Sequence, residues 1–248
     1  MKALFGFALL VLLSGCSHTI NFRASHFAVP VTGENQWSGH VAAVGTAVTK
    51  ITVVNNIETN PPTRDNLKVN DDVDIGDLMM IHSVGIDASL TILKSLDITL
   101  DNSLFGLRYQ FLNHGAGPQN WVASIQGAYG QRDSSTSEGT SGGTTAEAKS
   151  KVTTSQAGIS LGYKLEKIVP YISYIYESHE VKTDVTNTHG AFGPYNDKGI
   201  HQYYGIGLAS HGKGLVYGIE YNRINIDWDR AINHEPQDAL GIKFGFAW

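Results

Sequence analysis

Residues 240–248 read Leu240-Gly241-Ile242-Lys243-Phe244-Gly245-Phe246-Ala247-Trp248. Alternate side chains of a β-strand point to opposite faces, so an extended chain here puts Leu240, Ile242, Phe244, Phe246 and Trp248 together and Gly241, Lys243, Gly245 and Ala247 opposite them. A water-soluble barrel turns its bulky face inward and covers its outside with charge. The second face of this stretch is too small and too glycine-rich to be a solvated exterior. Apolar outside and polar inside is the pattern of a strand in a membrane barrel.

The rest of the 248-residue chain agrees with a turn-rich β protein. It has 27 glycines, a formal net charge of −5 and only 18 Lys and Arg, which disfavours a nucleic-acid binder with a basic stripe. One domain accommodates it. Met1-Lys2 precede an apolar run from Ala3 to Leu13, roughly eleven residues against the roughly twenty of a spanning helix, which reads as a secretory signal. Cys16 is the single cysteine. A lone cysteine in an exported chain is compatible with a free thiol or an intermolecular disulfide, but its place at the end of the apolar run favours lipidation.

Two features carry a resemblance. Leu13-Ser14-Gly15-Cys16 resembles the bacterial lipobox in all four positions, and a chain ending on an aromatic residue after alternating apolar residues resembles the C-terminal strand of bacterial outer-membrane β-barrels. Together they resemble the outer-membrane β-barrel lipoproteins. The resemblance implies a lipoprotein signal peptide over 1–15, a covalent lipid at Cys16, a lipidated tether over 16–36 and an outer-membrane barrel over 37–248. It also implies partnership with outer-membrane lipids and the outer-membrane assembly machinery. Three acyl chains at Cys16 exceed the two signals that stable anchoring needs, and Ser17 resembles the sorting pattern of lipoproteins sent to the cell outer membrane.

The spacing predicts an all-β, antiparallel up-and-down transmembrane β-barrel of about ten strands, with eight or twelve if one pairing is misassigned. Residues 17–36 are polar and aromatic without sustained alternation and read as a tether, with a plug inside the barrel as the alternative. Residues 37–54 read as one β-branched strand with a bulge, and 55–77, with Pro61-Pro62 and six acidic residues, as a long solvated loop. That acidic loop lacks the spacing of a calcium loop. Strands are then expected over 86–92, 96–100, 105–111, 121–129, 157–165, 169–182, 201–209, 215–228 and 240–248. Between 132 and 152 the chain is rich in Ser, Thr and Gly and reads as a loop, as do 184–198 and 229–237. The shorter connections (93–95, 113–119, 166–168, 211–214) belong to one end of the barrel and the long ones to the other, the asymmetry of outer-membrane barrels. After Tyr221 the apolar parity passes to Ile224 and Ile226, read as a bulge or as the point where the strand leaves the membrane.

The second face of these strands carries Asp87, Asp97, Asp101, Arg108, Lys164, Glu220 and Lys243, an expected lumen charge network. Turns at 93–95 and 101–104 put Asp97 opposite Arg108 and Asp87 near Asp101. Ion-paired groups persist in such an interior where unpaired charge is costly. The ten histidines raise an enzyme reading, with Ser and His close together at Ser38-Gly39-His40, His82-Ser83, Ser178-His179 and Ser210-His211. Immediate neighbours in a strand face opposite sides, so these pairs do not make a nucleophile and its base. The sequence assigns no catalytic, cofactor-binding or metal-ligating set. The expected function is structural or surface-interacting with a closed polar lumen; the alternatives are a small-molecule pore or carrier and a lipid-modifying barrel enzyme.

Overall fold

A computed structural model describes residues 16–69, 83–139, 145–231 and 236–248. The expected signal peptide, His82, and Asp71, Asp72, Asp74 and Asp77 of the acidic stretch lie outside the described residues. In chain order the strands are β1 (His18–Arg23), β2 (Gly39–Thr46), β3 (Val48–Val54), β4 (Lys68–Val69), β5 (Ser83–Leu93), β6 (Leu96–Asp101) and β7 (Leu104–Leu112). Then come β8 (Asn120–Gly139), β9 (Thr145–Lys164), β10 (Ile168–Asn187), β11 (Gly190–Ser210), β12 (Gly214–Trp228) and β13 (Gln237–Ala247). Among the described residues there is no helix.

Ten of these strands close into a barrel in the order β2-β5-β6-β7-β8-β9-β10-β11-β12-β13, with β13 pairing back to β2. Every neighbouring pair is antiparallel. The other three form a small sheet, β1-β3-β4, packed within the barrel wall. Its Ile20, Phe22, Ile51 and Val53 share one apolar cluster with Val152, Ile175, Val181, Tyr203, Ile224 and Trp228 of the wall.

The chain therefore departs from a tether followed by one bulged strand. The chain from about 18 to 33 occupies the lumen, as the plug alternative has it: Ile20, Phe22, Ala24, Phe27, Ala28 and Val29 are all buried, while Glu34, Asn35 and Gln36 are exposed at its mouth. At Ala47 the chain leaves the wall, and the blurred parity of 37–54 marks this change of direction instead of a bulge. The described part of the acidic loop is packed in part, with Asp65 exposed as expected and Glu58 half-buried. Its Ile57 and Leu67 are buried, and its backbone is held by side chains: Asn187 donates to the carbonyls of Ile57 and Thr59, and Arg230 to those of Arg64 and Asp65 as well as to that of Val53 in β3.

The expected loops at 132–152 and 184–198 are largely strand. β8 and β9 stay in register from Asn120↔Lys164 to Gly139↔Thr145, and β10 and β11 pair as far as Asn187↔Gly190. Thr, Ser and Val are adequate strand formers, and the alternation is present but reversed. Over Leu215–Tyr221 of β12 Leu215, Tyr217, Ile219 and Tyr221 face outward and Val216 and Glu220 inward, whereas over Asn222–Trp228 the buried residues are Asn222, Ile224, Ile226 and Trp228 while Arg223, Asn225 and Asp227 face out. No register shift accompanies this change; the strand keeps its period and its surroundings exchange. β10 behaves alike, with Ile172, Tyr174 and Tyr176 outward near one end and Val181 and Val185 buried near the other. In β9 the buried Ala146, Ala148 and Val152 give way to outward Ile159 and Leu161.

The barrel thus has two zones. Toward the turns at 94–95, 113–119, 165–167 and 211–213, the turn end, the charged pairs line a lumen that also holds one apolar cluster (Phe27, Val29, Val44, Val122, Val169, Tyr171 and Ala209), and the outside is apolar, with Phe105, Leu107, Trp121, Ile125, Ile206, Leu215, Ile219 and Phe244 exposed. Toward the opposite, extended end the inside is apolar, filled by the inner sheet, and the outside is polar. Large aromatic residues border the apolar belt: Tyr129, Tyr204 and Tyr221 face the extended end, and Trp121, Tyr163 and Trp248 face the turn end.

Candidate functional site

The polar lumen brings the charged residues of the second face together in pairs, and the N-terminal segment supplies partners for several of them. Asp97 and Arg108 stand directly opposite each other on β6 and β7. Arg108 Nη2 donates to Asp97 at 2.6 Å, Thr91 adds a second donor at 2.8 Å, and Arg108 Nη1 reaches the carbonyl of Val29 in the plug. Asp87 and Asp101 are opposite each other as expected, yet they form no shared site. Asp87 is held by Lys243 and, at 3.2 Å, by His40. Asp101 is held by Arg23 and, at 2.6 Å, by His26 Nδ1, both from the plug. Lys164 pairs with Glu34 of the plug at 3.1 Å.

Glu220 has no cationic partner among the described residues. It accepts from Ser25 Oγ (2.7 Å), Phe27 N (3.2 Å), Tyr171 Oη (2.7 Å) and Asn222 Nδ2 (2.8 Å). The expected network is therefore a row of separate ties, of which those of Arg23, Ser25, His26, Phe27, Val29 and Glu34 fasten the plug to the wall.

The Ser-His neighbours behave as strand geometry requires. Ser178 is exposed while His179 is buried, and Ser210 and His211 make separate turn contacts. A cross-strand contact appears instead: His40 lies opposite Ser89, with Ser89 Oγ 2.9 Å from His40 Nδ1 and Asp87 on the other ring nitrogen. This resembles a nucleophile, base and orienting acid in outline. Lys243 bonds the same carboxylate and approaches His40 Nε2 at 3.4 Å, so the group that would orient the base is already engaged. A cavity of about 90 Å³ adjoins it, lined among others by Val29, Val31, Arg108, Lys243 and Trp248.

Nearer the extended end lies a second cluster that the sequence did not signal: His26 of the plug, Glu177 and His179 of β10, and His201 and Tyr203 of β11. Glu177 and His179 are two residues apart on one inward face, and His201 is opposite Glu177. Glu177, His179, His201 and Tyr203 are buried, and the His26 side chain is 4 % exposed. A cavity of about 200 Å³ lined by His26, Asp101, Arg132, Thr154, Glu177 and His179 adjoins the cluster. Glu177-x-His179 is the only trace of it in sequence; the other members come from strand register and from the plug.

At the extended rim, Cys16 is half-buried and its backbone carbonyl accepts from Ile57 N at 2.9 Å. A hydrogen bond to Glu138, aided by burial, pushes its thiol up to about 11. His18 is buried between Thr136 and Ser150, each 2.8 Å from one ring nitrogen, and burial lowers its pKa to about 4 from the ordinary 6.5. The neutral ring is the folded form. Stability is therefore complete above pH 6.5 and declines as the pH falls toward 4, because the unfolded chain takes up a proton that the folded chain refuses. Urea unfolding in detergent should show a loss of about 2 kcal/mol at pH 5 relative to pH 7.5 that His18→Gln abolishes; an equal loss in the variant would assign the acid sensitivity to another group.

Searches against protein-family models, curated proteins and solved structures give no match to this chain.

Proposed function

We propose that this protein is an outer-membrane β-barrel, closed by its own N-terminal segment, whose extended strands stand outside the bilayer as an interaction surface. The observation that carries the reading is the exchange of inside and outside along single strands. An apolar exterior over a polar lumen suits hydrocarbon, and a polar exterior over an apolar interior suits water. Both occur in β9, β10 and β12, which supports a bilayer surface at the level of the exchange. The outward apolar run of β8, Trp121 to Tyr129, has the length of roughly 9–11 residues that a tilted strand needs to cross hydrocarbon.

The plug supports a closed lumen over the pore reading. Its ties to Asp97–Arg108, Asp101, Lys164 and Glu220 fall along the polar zone, and its Ile20, Phe22, Phe27 and Val29 are buried within the barrel. Among the described residues the nearest approach to a reacting constellation is Ser89, His40 and Asp87, whose carboxylate is engaged by Lys243, which disfavours the lipid-modifying reading.

Lipidation of Cys16 remains part of the proposal, and the plug limits how it operates. Cys16 meets Glu138, nine residues beyond Tyr129 on β8, which corresponds to roughly 20 Å above the apolar belt at usual strand rise and tilt. A lipid seated in the bilayer and a fully docked plug are then alternative states of the same segment.

The orientation is testable with short epitopes. Inserted at the exposed Thr188–His189 turn between β10 and β11, an epitope should be stained on intact cells. Placed next to Pro118, between β7 and β8, it should be stained only after permeabilisation, and purified protein in planar bilayers should show no steady conductance. Staining in the opposite sense would invert the barrel, and steady conductance would restore the pore reading.

A further inference from the structure

The His26–Glu177–His179 cluster has geometry that the plug-to-wall ties do not account for. His26 Nδ1 is 2.6 Å from Asp101 Oδ2, and His179 Nδ1 is 3.0 Å from Thr154 Oγ1, so each ring is oriented through one nitrogen. The other nitrogen of each ring, Nε2, is buried without a hydrogen-bond partner. Both are aimed at one carboxylate: His26 Nε2 lies 3.3 Å from Glu177 Oε1 and His179 Nε2 lies 3.4 Å from Glu177 Oε2.

We propose that His26, Glu177 and His179 bind a divalent transition-metal ion, best matched by zinc, and that this ion fastens the plug to the barrel wall. His26 and His179 face different oxygens of Glu177, so each His–Glu separation suits an ion held between that imidazole and the carboxylate. Two ligand atoms bound at roughly 2.0–2.1 Å in a tetrahedral arrangement stand roughly 3.3–3.4 Å apart, longer than a good N–H···O hydrogen bond. Two imidazoles and a carboxylate form a nitrogen-rich set suited to zinc and its neighbours, whereas calcium and magnesium are held by oxygen ligands. Asp101 behind His26 and Thr154 behind His179 are the outer partners that metal-binding imidazoles ordinarily have.

Charge points the same way. Glu177 is 2 % exposed, and among the described residues its ion-pair partners are the two imidazoles, because Arg23 is engaged with Asp101. Gln156 and Tyr203 donate to it at 3.0 Å, which orients the carboxylate without neutralising it. Burial of a carboxylate in this state is costly, and a divalent ion removes that cost. His201 lies within ligand range of Glu177 and His179. Its Nε2, however, accepts from the Trp228 indole at 3.0 Å and its Nδ1 faces Tyr203 Oη at 3.3 Å, which makes it an orienting neighbour. Phe22 of the plug packs its ring 4.5 Å from that of His179 and shields that side. The adjoining cavity gives the ion a way in and room for a water as fourth ligand.

The test uses the full chain purified in detergent, stripped with chelator, supplied with zinc chloride or cobalt chloride and passed through a desalting column. Wild-type protein should retain one zinc per chain, and its cobalt form should show the intense visible bands of a four-coordinate site. His179→Ala and Glu177→Gln should weaken zinc binding about a hundredfold or more, and Thr154→Val, which removes only the support behind His179, about tenfold. His189→Ala, at the exposed hairpin tip, should bind as wild type. Folding of each variant is checked by the mobility of the unheated protein in detergent gels, and Thr154→Val carries the test if the ligand variants fail that check. Folded wild-type protein that elutes without metal would overturn the proposal and leave Glu177 as the partner of protonated histidines. So would a folded His179→Ala, Glu177→Gln or Thr154→Val variant that binds zinc as wild type does.

Discussion

Arg108→Met should destabilise the barrel by about 3–5 kcal/mol, the cost of leaving a buried charge without its partner. Asp97 has no exposed side-chain surface and Arg108 very little, and among the described residues the carboxylate's other side-chain donor, besides the 2.6 Å bond from Arg108, is the hydroxyl of Thr91. Removing the guanidinium leaves the carboxylate with one neutral donor and also releases the Val29 carbonyl of the plug. Urea unfolding in detergent micelles, followed by loss of the fast-migrating folded band, should show the midpoint falling accordingly. The double variant Asp97→Leu with Arg108→Met should recover most of the loss, because replacing both members of a buried pair by apolar groups is often neutral. If the double variant is no better than Arg108→Met alone, the arginine acts chiefly through the plug carbonyl.

Phe244→Arg should cost on the order of 2–4 kcal/mol, the penalty for arginine on the lipid face at the bilayer midplane. Phe244 is 64 % exposed, so in a water-soluble barrel the same change would be nearly neutral, and its sign separates the two environments. Gly245→Ser is not a mild companion on the opposite face. A Cβ there would lie 2.1 Å from the Val41 carbonyl and 2.6 Å from Ala42 Cβ on β2, so the glycine is required by the close β13–β2 pairing. Gly127 is the better control, because a Cβ there meets only the Gln156 carbonyl, at 3.6 Å. Gly127→Leu should be tolerated and Gly127→Arg should impair assembly, which isolates polarity from fit. Equal behaviour of the two Gly127 variants would argue against a hydrocarbon environment.

The parts of this architecture visible in the sequence are those where one face of a strand is apolar and a short turn fixes the register. Leu240–Trp248, Ile86–Ile92 and Phe105–Phe111 meet the first condition, and the turns at Lys94–Ser95 and Asn102–Ser103 meet the second. The Asp97–Arg108 pair follows from the two together. The extended halves of β8 to β11 are hard to read because their outward faces are polar and their inward faces small, so their composition is that of loops although Ala146, Ala148, Ser150 and Val152 alternate as a strand does. β12 shows the same exchange more openly, at Ile224 and Ile226, where a change of surroundings resembled a change of register.

The plug was the least legible element. Its side chains find their partners far along the chain, as Arg23 does at Asp101 and Ser25 at Glu220, so no local period announces them. The same holds for the metal-ligand cluster. Glu177 and His179 share a face by strand period, but His26 reaches them only because the chain from about 18 to 33 enters the lumen, and nothing between Cys16 and Gln36 fixes that path locally.

The central claim is that the apolar belt faces hydrocarbon, and the most direct measurement is the partitioning of Cys16→Ser protein exported by a substituted cleavable signal. Without a lipid, only the barrel can hold it in the membrane. The account predicts that it sediments with outer membranes, resists carbonate extraction and enters solution only in detergent, whereas recovery as a soluble, folded monomer after export would contradict it.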